Sequence, residues 1–553
     1  MKQIDRLCLI LALLLVIVLR SAYMSGLYYD PDEAFSAATA IHFFDPHNLV
    51  FLLRGITAPG LAFIYHLAFS AFGVSFISIQ LFALFFNLCS VFLLYYLAKH
   101  LLAQEMKFYY FLPILYALFS VSEALQGYSA NKEIFLSPFE IGAILCLGLA
   151  SRQKRGGLYL LSGFLLGAAF FIKQSSFAFF VAGLAFILAA AVLSKDPPAA
   201  FFKKSFSFAG AFLSPLLCLW LLFACTGSGE SLLKNKIMLI FKYGKNIAAI
   251  REVYLSWAWG RIWSGIKIEI IIFGVLALIG LIFSFARFRK PGRLLILCWF
   301  LLPVFVISRS GFHFRHHFIE VLAPFLALSL AGASDAYEGC RVLMQRKKVL
   351  KLTGAALGIF ILTFPYIHAL APLIKEKKWA GSFFLTERYL KDPDKERYIP
   401  LLLKESGDGA KRFLAAQYIK AHTASTDKIF VWDDIDGGAI FLWSGMDPYP
   451  FRVVSKSSFL PDELTLPIDV DLPHRRSGFR HRQEVLMQRM MHERPLYVII
   501  VKRYALRPNA PFSPDQQLFL ERMAFKELFD FIDKNYILET QLYGCEILRL
   551  INQ

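Results

Sequence analysis

The chain has 553 residues, of which 57% are hydrophobic, 16% aromatic and 18% charged, with a mean hydropathy of +0.52. This is more apolar surface than a water-facing globule can cover, so the expected solvent is a bilayer. A net charge of +18 would point to nucleic acid in a soluble protein, but the Lys and Arg residues fall mostly in short loops between apolar runs. The charge is therefore read as membrane topology, and nucleic acid is excluded as a partner.

Lys2 and Arg6 precede the apolar run Leu7 to Val18. No small-residue cleavage site follows, so this run is expected to be an uncleaved first span. Further apolar runs start near Ile77, Phe108, Glu133, Leu158, Phe177, Ser205, Ile266, Leu294, Phe318 and Leu352. Together they predict a mostly α, polytopic helical membrane protein of about eleven transmembrane helices. Alternate connections are basic, for example Arg152, Lys154 and Arg155, and Arg287, Arg289, Lys290 and Arg293. Placing them and the N-terminus in the cytoplasm puts the loop from Met24 to Phe76 and everything after Pro372 outside, in a multi-pass plasma (inner) membrane protein.

Pro59 to Gly73 is short, contains His66, and would invert every later loop if it crossed, so an interfacial helix is predicted there. The outside loop Thr226 to Gly265 is basic against the rule; it reads either as a long loop with little topological force or as a cationic surface facing lipid phosphates. From about Lys375 the composition becomes that of a water-soluble protein. Strands are predicted at Lys428 to Trp432 and Tyr497 to Lys502, and helices at Gly409 to His422 and Pro514 to Asn535. The expected organisation is a membrane domain over 1–372, with its outer loop 24–76, and a small soluble α/β domain over 373–553. Of the eight cysteines, most lie in or beside apolar runs and Cys545 is alone in the C-terminal part, so neither a disulfide framework nor a Cys-based metal site is expected.

Three carboxylates, Asp30, Asp32 and Glu33, lie within four residues directly after the first span. Crowded like charges raise one another's pKa unless compensated, and Asp32 and Glu33 project in different directions. The same residues also make a good helix start, with Asp30 as cap, Pro31 at the first position and two acids favoured by the dipole. The trio could equally bind a divalent cation. The second outside loop leads to Asn131-Lys132-Glu133, where Glu133 is costly unless it faces water or a partner. Lys173 ends another span outside, where alone it reads as a snorkelling lysine. The last short outside loop, Ser308 to Phe318, holds two arginines and three histidines. His313, His316 and His317 have no zinc spacing, and an anion site built on Arg315 fits better, beside the alternative of an interfacial belt.

An Asp-Glu pair after the first span, a Pro-Gly interfacial helix and a many-span core resemble the GT-C superfamily of membrane glycosyltransferases. The likeness is to the bacterial branch that includes lipid A aminoarabinose transferases, protein O-mannosyltransferase relatives and lipopolysaccharide core transferases. Gly163 to Gln174 resembles its Gly-rich span ending in Lys, and Arg315-His316-His317-Phe318 with Pro324 its late His-aromatic-Pro segment. Lys428 to Trp432 followed by Ile440 to Gly445 looks like the strand and turn of its outer domain.

The resemblance implies transfer of a sugar from a polyprenyl-phosphate donor to a lipid, glycan or protein acceptor on the outer face, with inversion. Asp32 would be the general base, Glu33 its orienter, Glu133 the second acid, and Lys173, Arg315, His316 and His317 the contacts to the donor phosphate. In relatives the second acid is often Asp; here Asn131 and Glu133 occupy that region. A transporter or flippase of lipid-linked sugars is the competing class, but it predicts repeated halves, and the chain shows no clear repeat. A structural membrane protein is the third class, and it predicts that Asp32 is dispensable.

Overall fold

The computed structural model describes residues 2–24, 31–44, 59–122, 125–225, 268–309, 315–344, 388–406, 408–433, 438–446, 448, 454–455, 484, 486–501, 518, 522, 526–542 and 544–551. The apolar run from Leu352, the basic loop Thr226 to Gly265, Asp30 and His313 lie outside these residues.

The chain is mostly helical, with a small sheet near its C-terminal end. The helices are α1 (Lys2–Ser21), α2 (Pro31–Ile41), α3 (Gly60–Phe72), α4 (Phe76–Leu97), α5 (Leu112–Ser120), α6 (Lys132–Gln153), α7 (Gly157–Ile172), α8 (Phe177–Ser194), α9 (Pro198–Cys225), α10 (Ile268–Ala286), α11 (Pro291–Arg309) and α12 (Ile319–Met344). Among the described residues four helical stretches are long and apolar enough to cross a membrane: Phe76–Leu102, Lys132–Gln153, Gln174–Ser194 and Arg315–Gly339. Gly60–Phe72, Tyr109–Ser120, Gly157–Ile172, Ile271–Ala286 and Pro291–Phe305 are apolar but shorter. Helices thus occupy ten of the predicted runs, while four have the length and composition of a span.

Two compact units divide the chain. The first comprises Met1–Ala22, Leu49–Leu61 and Phe82–Trp379, the second Tyr23–Asn48, Ala62–Leu81 and Ala380–Gln553. In the first unit α7 packs on α6 and α9, α10 on α12, α8 on α11, and α1 on α5. Lipid offers no hydrophobic drive between helices, so close approach of small residues decides such packing. The Gly-rich span shows it, because a Cβ on Gly163 or Gly167 would come within 2.0 Å of the Phe208 carbonyl or 2.3 Å of the Phe212 carbonyl of α9. Leu7, Leu11, Leu14 and Val18 of α1 are exposed, a stripe suited to lipid tails.

Buried charges knit this unit. Tyr109 donates to both oxygens of Asp5 at 3.0 Å. Arg293, fully buried, pairs with Asp335 at 2.9 Å and donates to the Glu105 carbonyl at 3.2 Å. Such ions survive burial because each finds partners.

In the second unit, α13 (Ile399–Ser406), α14 (Asp408–His422), α15 (Gly438–Ser444) and α16 (Lys526–Asn535) accompany five strands: β1 (Ile429–Asp433), β2 (Val454–Ser455), β3 (Tyr497–Val501), β4 (Tyr536–Leu542) and β5 (Cys545–Leu550). The strand order is β2-β1-β3-β5-β4. Strand β1 is parallel to β2 and β3, whereas β5 is antiparallel to β3 and β4. Phe430, Trp432, Val498 and Ile500 pack toward Leu528, Phe529 and Ile532 of α16. Ile429, Val431 and Ile499 pack toward Ala415 and Ile419 of α14 and Ile440 and Phe441 of α15. Burial on both faces explains why β1 and β3 read as continuous apolar runs.

The predicted strand and helix positions at 428–432, 497–502 and 409–422 match β1, β3 and α14. Only the end of the helix predicted from Pro514 is seen, as α16. The segment Ile440 to Ser444 is helical rather than a plain turn, and Gly445, at φ +74°, ends it.

Candidate active site

Helix α2 begins at Pro31, whose fixed φ suits a first helical position, and carries Asp32 and Glu33 in its first turn, where the helix dipole favours acids. The two carboxylates have different surroundings. Glu33 is fully buried, and its Oε1 accepts a hydrogen bond from Gln80 Nε2 at 3.1 Å. Asp32 is half-buried. Farther along, His66 Nδ1 donates to the Ala40 carbonyl at 3.0 Å, fixing α2 to α3.

The other face of α2 meets α15. The approach is so close that a Cβ on Gly438 would lie 2.3 Å from the Ala34 carbonyl oxygen. The Phe76 ring packs against Trp443 of α15 at a tilt of 44°, with ring centroids 5.0 Å apart. The helix that presents Asp32 therefore rests on a short helix of the C-terminal segment.

A second constellation lies in the first unit. Helix α7 stops at Ile172, and Lys173 adopts an extended backbone, φ −154° and ψ 131°, before the 3-10 turn Gln174–Ser176 and α8. This break turns the Lys173 ammonium onto Glu133 Oε1, at 2.5 Å, and onto Glu320 Oε1. Both carboxylates are buried, and the second oxygen of each has no hydrogen-bond partner among the described residues. Glu133 belongs to the first turn of α6 and Glu320 to the first turn of α12. Glu140 lies two turns beyond Glu133 on α6, is buried, and interacts electrostatically with Glu320 and Lys173.

Arg315, His316 and His317 form the 3-10 turn that leads into α12. His316 is buried and its Nδ1 donates to Gln126 Oε1 at 3.3 Å. The His316 and His317 rings meet edge to face, centroids 4.7 Å apart. Donor atoms of Glu133, His316 and His317 all lie within 4.8 Å of one another, so these residues could hold a metal ion. The loop bearing Gln126 is pinned from α1, since buried Arg20 donates to the Gly127 carbonyl at 3.0 Å and the Ser129 carbonyl at 3.3 Å.

The candidates from sequence thus fall into two groups: Asp32 with Glu33, and Glu133 with Lys173, His316 and His317. Arg315 is half-buried and makes no ion pair with a described residue. Sequence reasoning passed over Glu320, Glu140, Gln80 and Gln126. Two signals were available: an acid in the first turn after the His-rich segment, and a second acid seven residues along the same helix face.

Residues 57–224 match the family described as dolichyl-phosphate-mannose-protein mannosyltransferase. This segment includes the Gly-rich span, Glu133 and Lys173. Over this stretch the chain is similar to that family of membrane glycosyltransferases. The matched stretch covers less than a third of the chain. No curated protein matches the chain.

Solved structures similar to this chain include the archaeal oligosaccharyltransferase AglB from Archaeoglobus fulgidus, in complex with an inhibitory peptide and a dolichol-phosphate. It shows 13% identity and a TM-score of 0.45, over 90% of this chain and 69% of that one. The Archaeoglobus fulgidus oligosaccharyltransferase in the apo form is similar at 12% identity and a TM-score of 0.41, over 90% and 69%. The same enzyme tethered to an acceptor peptide is similar at 12% identity and a TM-score of 0.40, over 88% and 68%.

Proposed function

We propose that this glycosyltransferase moves a sugar from a polyprenyl-phosphate donor to an acceptor on the outer face of the plasma (inner) membrane, with inversion. The observation that carries the reading is the buried group around Lys173. Ionised side chains in bilayer-length helices are costly, and a cation held between carboxylates at a helix break marks a place where an anion is handled. The family match of residues 57–224 supports a donor in which sugar is linked to a lipid phosphate.

In the proposed step the acceptor oxygen attacks the anomeric carbon. Its proton passes to the Asp32 carboxylate, and the bond from the anomeric carbon to the phosphate oxygen breaks with its electron pair. Polyprenyl phosphate leaves with the added negative charge. Glu33, buried and bonded to Gln80, anchors the helix start so that Asp32 is held ready. Lys173, Arg315, His316 and His317 neutralise the departing phosphate, and Glu133 serves as the second acid that orients Lys173. The acceptor is a lipid, glycan or protein.

The topology belongs to the same proposal. About eleven spans over 1–372 place the N-terminus in the cytoplasm, and the outer loop 24–76 and the α/β domain over 373–553 outside. Sugar nucleotides are absent from that side, which is why the donor must arrive on a lipid.

The test is transfer from radiolabelled polyprenyl-phosphate sugars in membranes. The expected product is a labelled acceptor whose anomeric configuration is opposite to that of the donor. Movement of lipid-linked sugar across the bilayer with no transfer would replace this reading with that of a flippase.

A further inference from the structure

We propose that Glu133, His316 and His317 form a site for a divalent cation of the borderline class, zinc foremost. Four features of the structure converge there.

The first is geometry. Donor atoms from α6 and from the turn before α12, far apart in sequence, lie within 4.8 Å of one another. A tetrahedral zinc with ligand bonds of about 2.0–2.2 Å holds its donors roughly 3.4 Å apart, a closure that small side-chain rotations supply. The second is donor chemistry. Two imidazoles and one carboxylate suit zinc, cobalt and other borderline ions better than magnesium or calcium, and they leave a fourth position open.

The third is preparation of the ligands. Gln126 Oε1 can only accept, so His316 Nδ1 carries the proton in that hydrogen bond and Nε2 keeps the lone pair that binds a metal. Glu133 is 1% exposed; Lys173 occupies its Oε1, and its Oε2 has no hydrogen-bond partner among the described residues. The fourth is charge. Among the described residues, three buried carboxylates, Glu133, Glu140 and Glu320, interact with one ammonium, Lys173, so two negative charges within this group remain to be balanced when all three are ionised and the imidazoles of His316 and His317 are neutral. A divalent cation balances them in one step; protons on two carboxyls or on both imidazoles are the alternatives.

Occupancy of this site does not depend on the glycosyltransferase mechanism, whereas its use does: under the preceding reading, the ion would offer its open position to a phosphate oxygen of the donor. Its ligands do not include the first-loop acids Asp32 and Glu33.

The test uses the purified full-length protein, stripped with a chelator and titrated with Co2+ and then Zn2+. Bound metal is counted by elemental analysis after desalting, and the Co2+ ligand-field spectrum reports imidazole ligation. The expected result is one tightly held ion per chain, lost in His316→Ala/His317→Ala and in Glu133→Gln, and retained in Asp32→Asn. Gln126→Asn keeps a residue suited to the positive φ of 51° at that position but withdraws the hydrogen bond, so it is expected to weaken Co2+ binding by roughly tenfold to a hundredfold with the fold intact. His317→Ala, at a half-buried position, gives a second variant whose monodispersity can be matched to wild type. Absence of a stoichiometric ion in the wild type overturns the proposal. So does binding that survives in the well-folded His317→Ala and Gln126→Asn proteins, or that is lost in Asp32→Asn.

Discussion

Lys173 is the residue on which the first unit's charged group turns. Alone in the sequence it reads as a snorkelling lysine; in the structure its ammonium bridges Glu133 and Glu320, at the starts of two different helices. Removing it leaves buried carboxylates facing one another. Lys173→Met is therefore expected to destabilise the protein by about 3–5 kcal/mol and to abolish sugar transfer. Adding Glu320→Gln removes one of the stranded charges and is expected to recover part of the lost thermal stability but none of the activity. A thermal-shift measurement in detergent beside the transfer assay checks both; full stability in the single mutant would contradict the bridging role. Of this group, Glu133 and the histidine pair were candidates by charge and position, whereas Lys173 entered only through the family resemblance. Glu320 and Gln126 did not stand out, because their importance lies in partners 147 and 190 positions away.

At the scale of elements, the acid-bearing helix α2 leans on α15. A Cβ at Gly438 would strike the backbone of Ala34, so Gly438→Ala must displace one helix from the other. Misplacement of a base by a fraction of an ångström is costly, and a loss of roughly tenfold to a hundredfold in kcat with the donor KM little changed is expected. Steady-state kinetics on the variant decide this; wild-type kcat would show that the contact with α15 does not position Asp32.

The sheet supplies a second element-scale case. The register of β4 against β5 shifts between Leu538 and Thr540, and at this irregularity Glu539 accepts hydrogen bonds from Tyr418 at 2.7 Å and Tyr497 at 3.0 Å. Burial, reinforced by that hydrogen bond and by the Glu539 charge, pushes the Tyr497 phenol up to about 12. A phenol raised from its ordinary value near 10 gives stability that is complete below about pH 10 and is lost as pH climbs through the folded value. Alkaline unfolding is thus expected between about pH 10 and 12, and Tyr497→Phe is expected to flatten the profile over that interval. An unchanged slope would show that Glu539 and Tyr497 do not couple to folding. The same irregularity explains why β4 and β5 escaped the sequence reading: their alternation is broken and their charges, Glu539, Glu546 and Arg549, resemble a loop. β1 and β3 were legible because both of their faces are buried.

At the scale of the molecule, apolar composition announced the membrane and the helical class, and the described helices start close to the predicted runs from Leu7 to Phe318. Length was harder to read. Helices such as α7 and α5 are apolar yet short, because breaks at Lys173 and in the segment before α6 interrupt the chain where charged side chains must converge. A hydropathy window averages over such breaks, and a function built on buried charge depends on them.

Under the proposed function, Asp32 is the base that deprotonates the acceptor. The most direct measurement is sugar transfer from a radiolabelled polyprenyl-phosphate donor in membranes holding equal amounts of wild type and Asp32→Asn. The account predicts a labelled acceptor with wild type and a loss of about a hundredfold to ten-thousandfold with the variant. Transfer at the wild-type rate by Asp32→Asn would contradict it and leave Asp32 as an acidic start to a helix.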